Sequence, residues 1–152
     1  KLHEDEFTTY LAVYRAGKVA VTREPLYAYY QNPVGIMLSK WTPRKLHILE
    51  ATENQIAFAR ENGNQRLLKK AVRQYIYSTY EQIGFAKQWD NPGRGRLLKT
   101  LRKKLREGLR QGKEFDLFPL CRELFWVYEE AYPMKPFWWL YGKLGRRGER
   151  QE

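Results

Sequence analysis

Residues 65–88 read QRLLKKAVRQYIYSTYEQIGFAKQ, and within them Leu68, Val72, Tyr75, Ile76, Thr79 and Ile83 recur three and four positions apart. That spacing lines one face of an α-helix. It predicts a long helix from Gln65 to about Gln88, stopped by DNPG at 90–93. Upstream, Thr42 followed by Pro43 reads as an N-cap with proline at the first helical position, and ENGN at 61–64 closes that helix. Downstream, Leu97, Leu98, Leu101, Leu105 and Leu109 share one face of a third helix. A fourth is expected to start near Pro119, with Leu120, Leu124, Phe125 and Tyr128 on its apolar side. The last stretch, YPMKPFWWLYGKLGRRGERQE, is aromatic and then basic, and its end is expected to be disordered. The chain contains no internal repeat.

A chain of 152 residues fits one domain of ordinary size, or a small domain with an appendage, and 43% hydrophobic residues can furnish a core. Lys and Arg total 28 against 17 Asp and Glu, a net charge of +11. Such a balance implies an anionic partner: nucleic acid, an acidic membrane surface or a phosphorylated ligand. Cys121 is the single cysteine, which excludes a disulfide framework and a thiolate metal cluster and favours a reducing compartment. No apolar run reaches the roughly 18–20 residues that span a bilayer.

The N-terminal part has a different character. Phe7, Leu11 and Tyr14, with Tyr10 in the same stripe, predict a helix over Glu4–Arg15, with Gly17 as its C-terminal cap. KVAVT at 18–22 and EPLYAYYQN at 24–32 read as short strands, Pro25 standing at the entry of the second. NPVGIM at 32–37 reads as a turn. One helix and two strands do not make an independently stable sheet layer. At the helix start, HEDEF at 3–7 sets Glu4 and Asp5 beside free N–H groups and the positive end of the helix macrodipole. A carboxylate so placed can serve as a general base toward a hydroxyl, although acidic residues in a first turn are also ordinary helix-start chemistry. His3 and His47 lie far apart with no ligand spacing around them, so metal binding by this chain is not expected.

The order E-D, YRA, KVAV, PLYAYYQ and GIM across the first forty residues resembles the second half of the catalytic domain of bacterial family 2 glycosyltransferases. The resemblance implies a nucleotide-sugar-dependent, inverting enzyme with a GT-A, Rossmann-like core acting in cell-surface polysaccharide synthesis. Asp5 would be the base that deprotonates the acceptor hydroxyl, and Glu4 would help shape the acceptor pocket. Tyr27, Tyr29 and Gln31, with the loop that follows to Met37, would border a saccharide or lipid-linked acceptor. Two positions depart from the family pattern: Tyr30 stands where an arginine is usual, and Gly35 where a small polar residue is usual. The donor-binding half of the family, with its SVIIPxYN-like strand and D-x-D metal site, has no counterpart in this sequence. The chain therefore reads as a C-terminal fragment, expected to be inactive alone. It would hold no cofactor itself, with a divalent metal (Mg or Mn) expected in the intact parent.

The stretch RGRLLKTLRKKLREGLRQGK at 94–113 carries nine basic residues against one acid, opposite its leucines. A basic amphipathic helix reads as a membrane-surface or partner-binding element, or as a solvated face whose leucines pack on neighbours. With PFWWLYGKLGRR in the tail, the candidate membrane-surface residues are Lys99, Arg102, Lys103, Lys104, Arg106, Trp138, Trp139, Arg146 and Arg147. The expected location is cytoplasmic, or peripheral on the inner face of the plasma membrane. Overall the sequence predicts a mainly α chain. An acceptor-side α/β remnant (1–40) leads into a helical extension of about four helices (41–145) and a basic tail (146–152). Unpaired strand edges would favour self-association. The alternative is a basic helical module binding nucleic acid or protein. Nucleic acid is the disfavoured partner, because no helix-turn-helix, zinc or RNA-recognition pattern is present.

Overall fold

The computed structural model describes residues 2–28, 40–115, 127–128 and 130–132. Four α-helices organise them: α1 (Glu4–Arg15), α2 (His47–Glu61), α3 (Gln65–Lys87) and α4 (Arg94–Lys113). A 3₁₀ turn, Pro43–Leu46, leads into α2. Val127, Tyr128, Glu130 and Ala131 belong to a further helical segment. The fourth helix expected near Pro119 and the tail from residue 133 fall largely outside the described residues.

The stripe of α3 is buried in full: Leu68, Val72, Tyr75, Ile76, Thr79 and Ile83 are all at most 6% exposed. α3 is the middle helix, packed against α2 on one side and α4 on the other. The short connections at 62–64 and 88–93 make each successive pair antiparallel. α4 contributes Leu101, Leu105 and Leu109, and the 127–131 segment closes the core with Val127 and Ala131. At Gly108 the helices approach closely, since an added Cβ would lie 3.0 Å from the Tyr75 ring and 3.1 Å from Ile76.

The turn between α2 and α3 shows how local chemistry sets the geometry. Gly63 takes φ 61°, a conformation that costs a residue with a Cβ. Asn64 N–H donates to Ala59 O and Gly63 N–H to Arg60 O, the pair of bonds of a Schellman motif. The Asn64 side chain then accepts from Leu67 N–H and caps α3. Thr42 provides no such side-chain bond to the turn it precedes.

Polar groups inside the bundle are matched. Thr79 Oγ1 donates to Tyr75 O and Thr52 Oγ1 to Ile48 O, a local back-bond open to a helical threonine. The Trp41 indole donates to Gln82 Oε1 at 2.8 Å and meets Trp89 edge-on. No buried side-chain nitrogen or oxygen lacks a partner among the described residues.

The N-terminal part differs from the expected α/β remnant. α1 forms with the predicted bounds, but it ends on Ala16 in an extended conformation rather than on a left-handed Gly17. Residues 18–22 and 24–28 form no strand. A β-ladder needs a partner for its N–H and C=O groups, and the described residues supply none. Val21 is 91% exposed and Tyr27 81%, and the turn there is local, with Glu24 N–H donating to Thr22 Oγ1. The described residues thus contain no strand edge of the kind on which self-association was expected to rest.

Candidate active site

α1 lies along α2 in the same direction, and successive bonds fix their register. Leu2 N–H donates to His47 Nδ1 at 3.2 Å. Further along, Gln55 Nε2 donates to both the carbonyl (2.8 Å) and the carboxylate (3.1 Å) of Glu6. Tyr10 and Tyr14 then meet Phe58 edge-on at 5.2 and 4.9 Å, a favoured aromatic geometry. Tyr14 OH finishes the series on Asn62 Oδ1. Burial raises the Tyr10 hydroxyl above its ordinary pKa, with a smaller contribution from Glu61.

These contacts use one face of α1 and leave Glu4 and Asp5 of its acidic turn in solvent. His3, at φ 62°, turns the chain just before the helix, a left-handed conformation uncommon outside glycine. Glu4 and Asp5 are exposed, while Glu6 is half-buried under Gln55. Asp5 Oδ1 accepts from Glu6 N–H at 3.0 Å. Asp5 thus has one oxygen held by the helix start, and the other makes no hydrogen bond among the described residues. Tyr27 makes no hydrogen bond or ring contact to Glu4 or Asp5 among the described residues. Tyr29 and Gln31 lie outside those residues. The acidic turn does not fit a metal ion: among the described residues no three His, Cys, Asp or Glu side chains converge.

The five α4 residues predicted to face a membrane divide into two sets. Arg102 donates from Nε and Nη2 to Glu130 Oε1, at 3.0 and 2.9 Å, and Lys87 pairs with the other oxygen of the same carboxylate. Lys104 pairs with Glu53, which also accepts from Tyr75 OH at 2.9 Å. Arg106 Nη1 donates to Ala131 O. These three are tied into the bundle, whereas Lys99 and Lys103 are exposed. Leu101, Leu105 and Leu109 of α4 are buried in the core and so are closed to a bilayer, while Leu97 and Leu98 are half-buried. No described helix is long and apolar enough to cross a membrane. Trp138, Trp139, Arg146 and Arg147 lie outside the described residues.

The ion pairs leave their mark on titration. Burial alone would raise the Glu130 carboxyl, but hydrogen bonds and charge from Lys87 and Arg102 carry it below its ordinary value. The Tyr75 hydroxyl is pushed well above its usual range, first by burial and then by the Glu53 charge and hydrogen bond.

Sequence reasoning did not single out Gln55 or Phe58, which seat α1, nor Glu53 and Glu130, which tie down basic residues of α4. Nor did it single out Arg110 and Lys113, although the intervals from Lys103 to Arg106, Arg110 and Lys113 are three, four and three, a legible helical stripe. Compared with known proteins, the chain matches no protein-family model, no curated protein and no solved structure.

Proposed function

We propose that this chain forms the acceptor-side and C-terminal part of an inverting glycosyltransferase, moving a sugar from a nucleotide-sugar donor to a saccharide or lipid-linked acceptor. The observation that carries the reading is the seating of α1. The helical bundle grips Glu6, Tyr10 and Tyr14, so the turn bearing Asp5 is positioned while its carboxylate stays open. The order of motifs over the first forty residues supplies the reaction class.

In this reading Asp5 accepts the proton of the acceptor hydroxyl. The freed oxygen attacks the anomeric carbon on the face opposite the leaving nucleoside diphosphate. The new C–O bond forms as the bond to the phosphate oxygen breaks, and the configuration inverts. Glu4 stands beside the base and Tyr27 on the acceptor side. The helical bundle acts as a mount that fixes the distance between base and acceptor, which a transition state demands. The donor-binding half of such an enzyme has no counterpart in these 152 residues, so the chain alone should not turn over.

The test is Asp5→Asn in the complete enzyme, a change that keeps side-chain shape at an exposed position. Sugar transfer should fall by about 10²–10⁴, the usual worth of a general base, with acceptor affinity little changed. Transfer at the original rate in that variant would overturn the assignment.

A further inference from the structure

The basic residues of α4 are not treated alike by the fold. Two of them are neutralised internally, Arg102 by Glu130 and, across the leucine stripe, Lys104 by Glu53 of α2. Four others line an open groove of about 510 Å³, where Lys103, Arg106, Arg110 and Lys113 face the rings of Tyr128 and Tyr132. Glu107 is the acid among the groove's lining residues. It lies 4.0 Å from Arg110 on an exposed surface, where such a pair contributes little. Lys103, Arg106 and Lys113 have no carboxylate partner among the described residues. Arg106 donates one N–H to Ala131 O and lies over the Tyr132 ring at 6.0 Å, which leaves further donors of its guanidinium fork for a ligand.

From the first to the last of these four positions α4 rises about 15 Å, at about 1.5 Å per residue. Four cations along that length repel one another unless an anion lies between them. The opposite wall is aromatic, with the rings of Tyr128 and Tyr132 nearly parallel, 20° apart, at 6.3 Å. The combination suits a ligand with phosphate groups for the cations and an organic body for the tyrosine faces. A flat membrane surface would not use the groove's depth, and Leu101, Leu105 and Leu109, which could insert into lipid, are already buried.

We infer that the groove between α4 and the rings of Tyr128 and Tyr132 is a binding site for a phosphate-bearing ligand. Lys103, Arg106, Arg110 and Lys113 hold its phosphates, and Tyr128 and Tyr132 contact its body. The inference stands on the groove alone and does not depend on the sugar-transfer reading.

The experiment titrates the full chain with inorganic pyrophosphate by calorimetry. In parallel it measures co-sedimentation with phosphatidylcholine vesicles, with and without phosphatidylglycerol. Lys103→Gln plus Lys113→Gln is compared with Lys69→Gln plus Lys70→Gln, an equal loss of charge at exposed positions of α3. Saturable pyrophosphate binding that weakens about tenfold in the groove variant alone, as expected on losing two charge-assisted contacts, supports a free phosphate ester as the ligand. Binding only to phosphatidylglycerol vesicles, again lost selectively in the groove variant, supports a lipid headgroup. Equal weakening in the two variants, or no binding to either probe, overturns the proposal.

Discussion

α1 and α3 are both amphipathic, both begin and end as their sequences predict, and yet they live in different environments. None of the 12 residues of α1 is buried, whereas ten of the 23 in α3 are. α3 is flanked by α2 and α4 and so fills both sides of its stripe. Among the described residues α1 packs chiefly on α2, through Gln55, Phe58 and Asn62. An apolar stripe therefore determines that a helix forms, while the number of neighbours determines how firmly it is held. Under the proposed function this arrangement is useful, because one gripped face leaves the face bearing Asp5 accessible.

The firmest test of that contrast is in the core. Leu105 is fully buried on α4, and Leu105→Ala should cost about 2–5 kcal/mol of global stability, the range for a buried leucine whose cavity does not collapse. Urea unfolding followed by far-UV circular dichroism measures it. A loss under about 1 kcal/mol would mean that α4 is not part of the cooperative core. Gly108→Val should cost somewhat less, about 1–3 kcal/mol. Its added methyl groups would press on Tyr75, whose ring is buried and whose hydroxyl is held by Glu53. The favourable helix propensity of a side chain over glycine, at most about 1 kcal/mol, does not offset that.

A smaller effect should appear on acidification. Because the Glu130 carboxyl is depressed in the folded chain, its contribution is complete above the unfolded carboxylate's ordinary value. It is lost as pH falls through the lower folded value. Glu130→Gln should therefore destabilise the chain by about 1–2 kcal/mol at neutral pH, since it removes charge-assisted bonds to Arg102 and Lys87. The difference from the parent sequence should shrink below about pH 4, near the ordinary glutamate value. A variant penalty independent of pH would show that shape, not charge, is what Glu130 supplies.

How far the sequence could take a reader follows from the same physics. The stripe at Leu68–Ile83 is long and strictly spaced, and nothing competes with a helix there. The bounds of α1, α3 and the helix at 94–113 were therefore legible. KVAVT was misleading because β-branched alternation reports a preference for a pleated, half-buried surface, and Val19 and Val21 have no such surface among the described residues. Gly17 resembled a helix cap, but Ala16 turns the chain out in an extended conformation and leaves Gly17 nothing to satisfy. Of the candidate site, Glu4 and Asp5 could be placed at a helix start from their spacing alone. That Gln55 and Phe58 hold that helix could not be seen, because a contact 49 residues away leaves no periodic trace. The membrane reading of α4 failed to anticipate its division for a similar reason. Basic residues three apart look identical in sequence until Glu53 and Glu130 arrive from other helices.

The gentlest perturbation separates the two regions most clearly. Phe58→Ala removes the ring that both Tyr10 and Tyr14 meet, and each such aromatic pair is worth about 0.5–1.5 kcal/mol. Because α1 has no buried residue, that loss should fall on α1 rather than on the bundle. Amide exchange should quicken across Glu4–Arg15 while α3 and α4 keep their protection, as expected when a weakly attached unit opens on its own. Global stability should change by only about 1 kcal/mol, much less than for Leu105→Ala. If exchange quickened equally in all helices, α1 and the bundle would be one cooperative unit, and the contrast between them would be one of burial only. If α1 alone loosened, the proposed function requires that the same variant in the complete enzyme slow sugar transfer without touching Asp5, because the proposed base would no longer be held at a fixed distance from its acceptor.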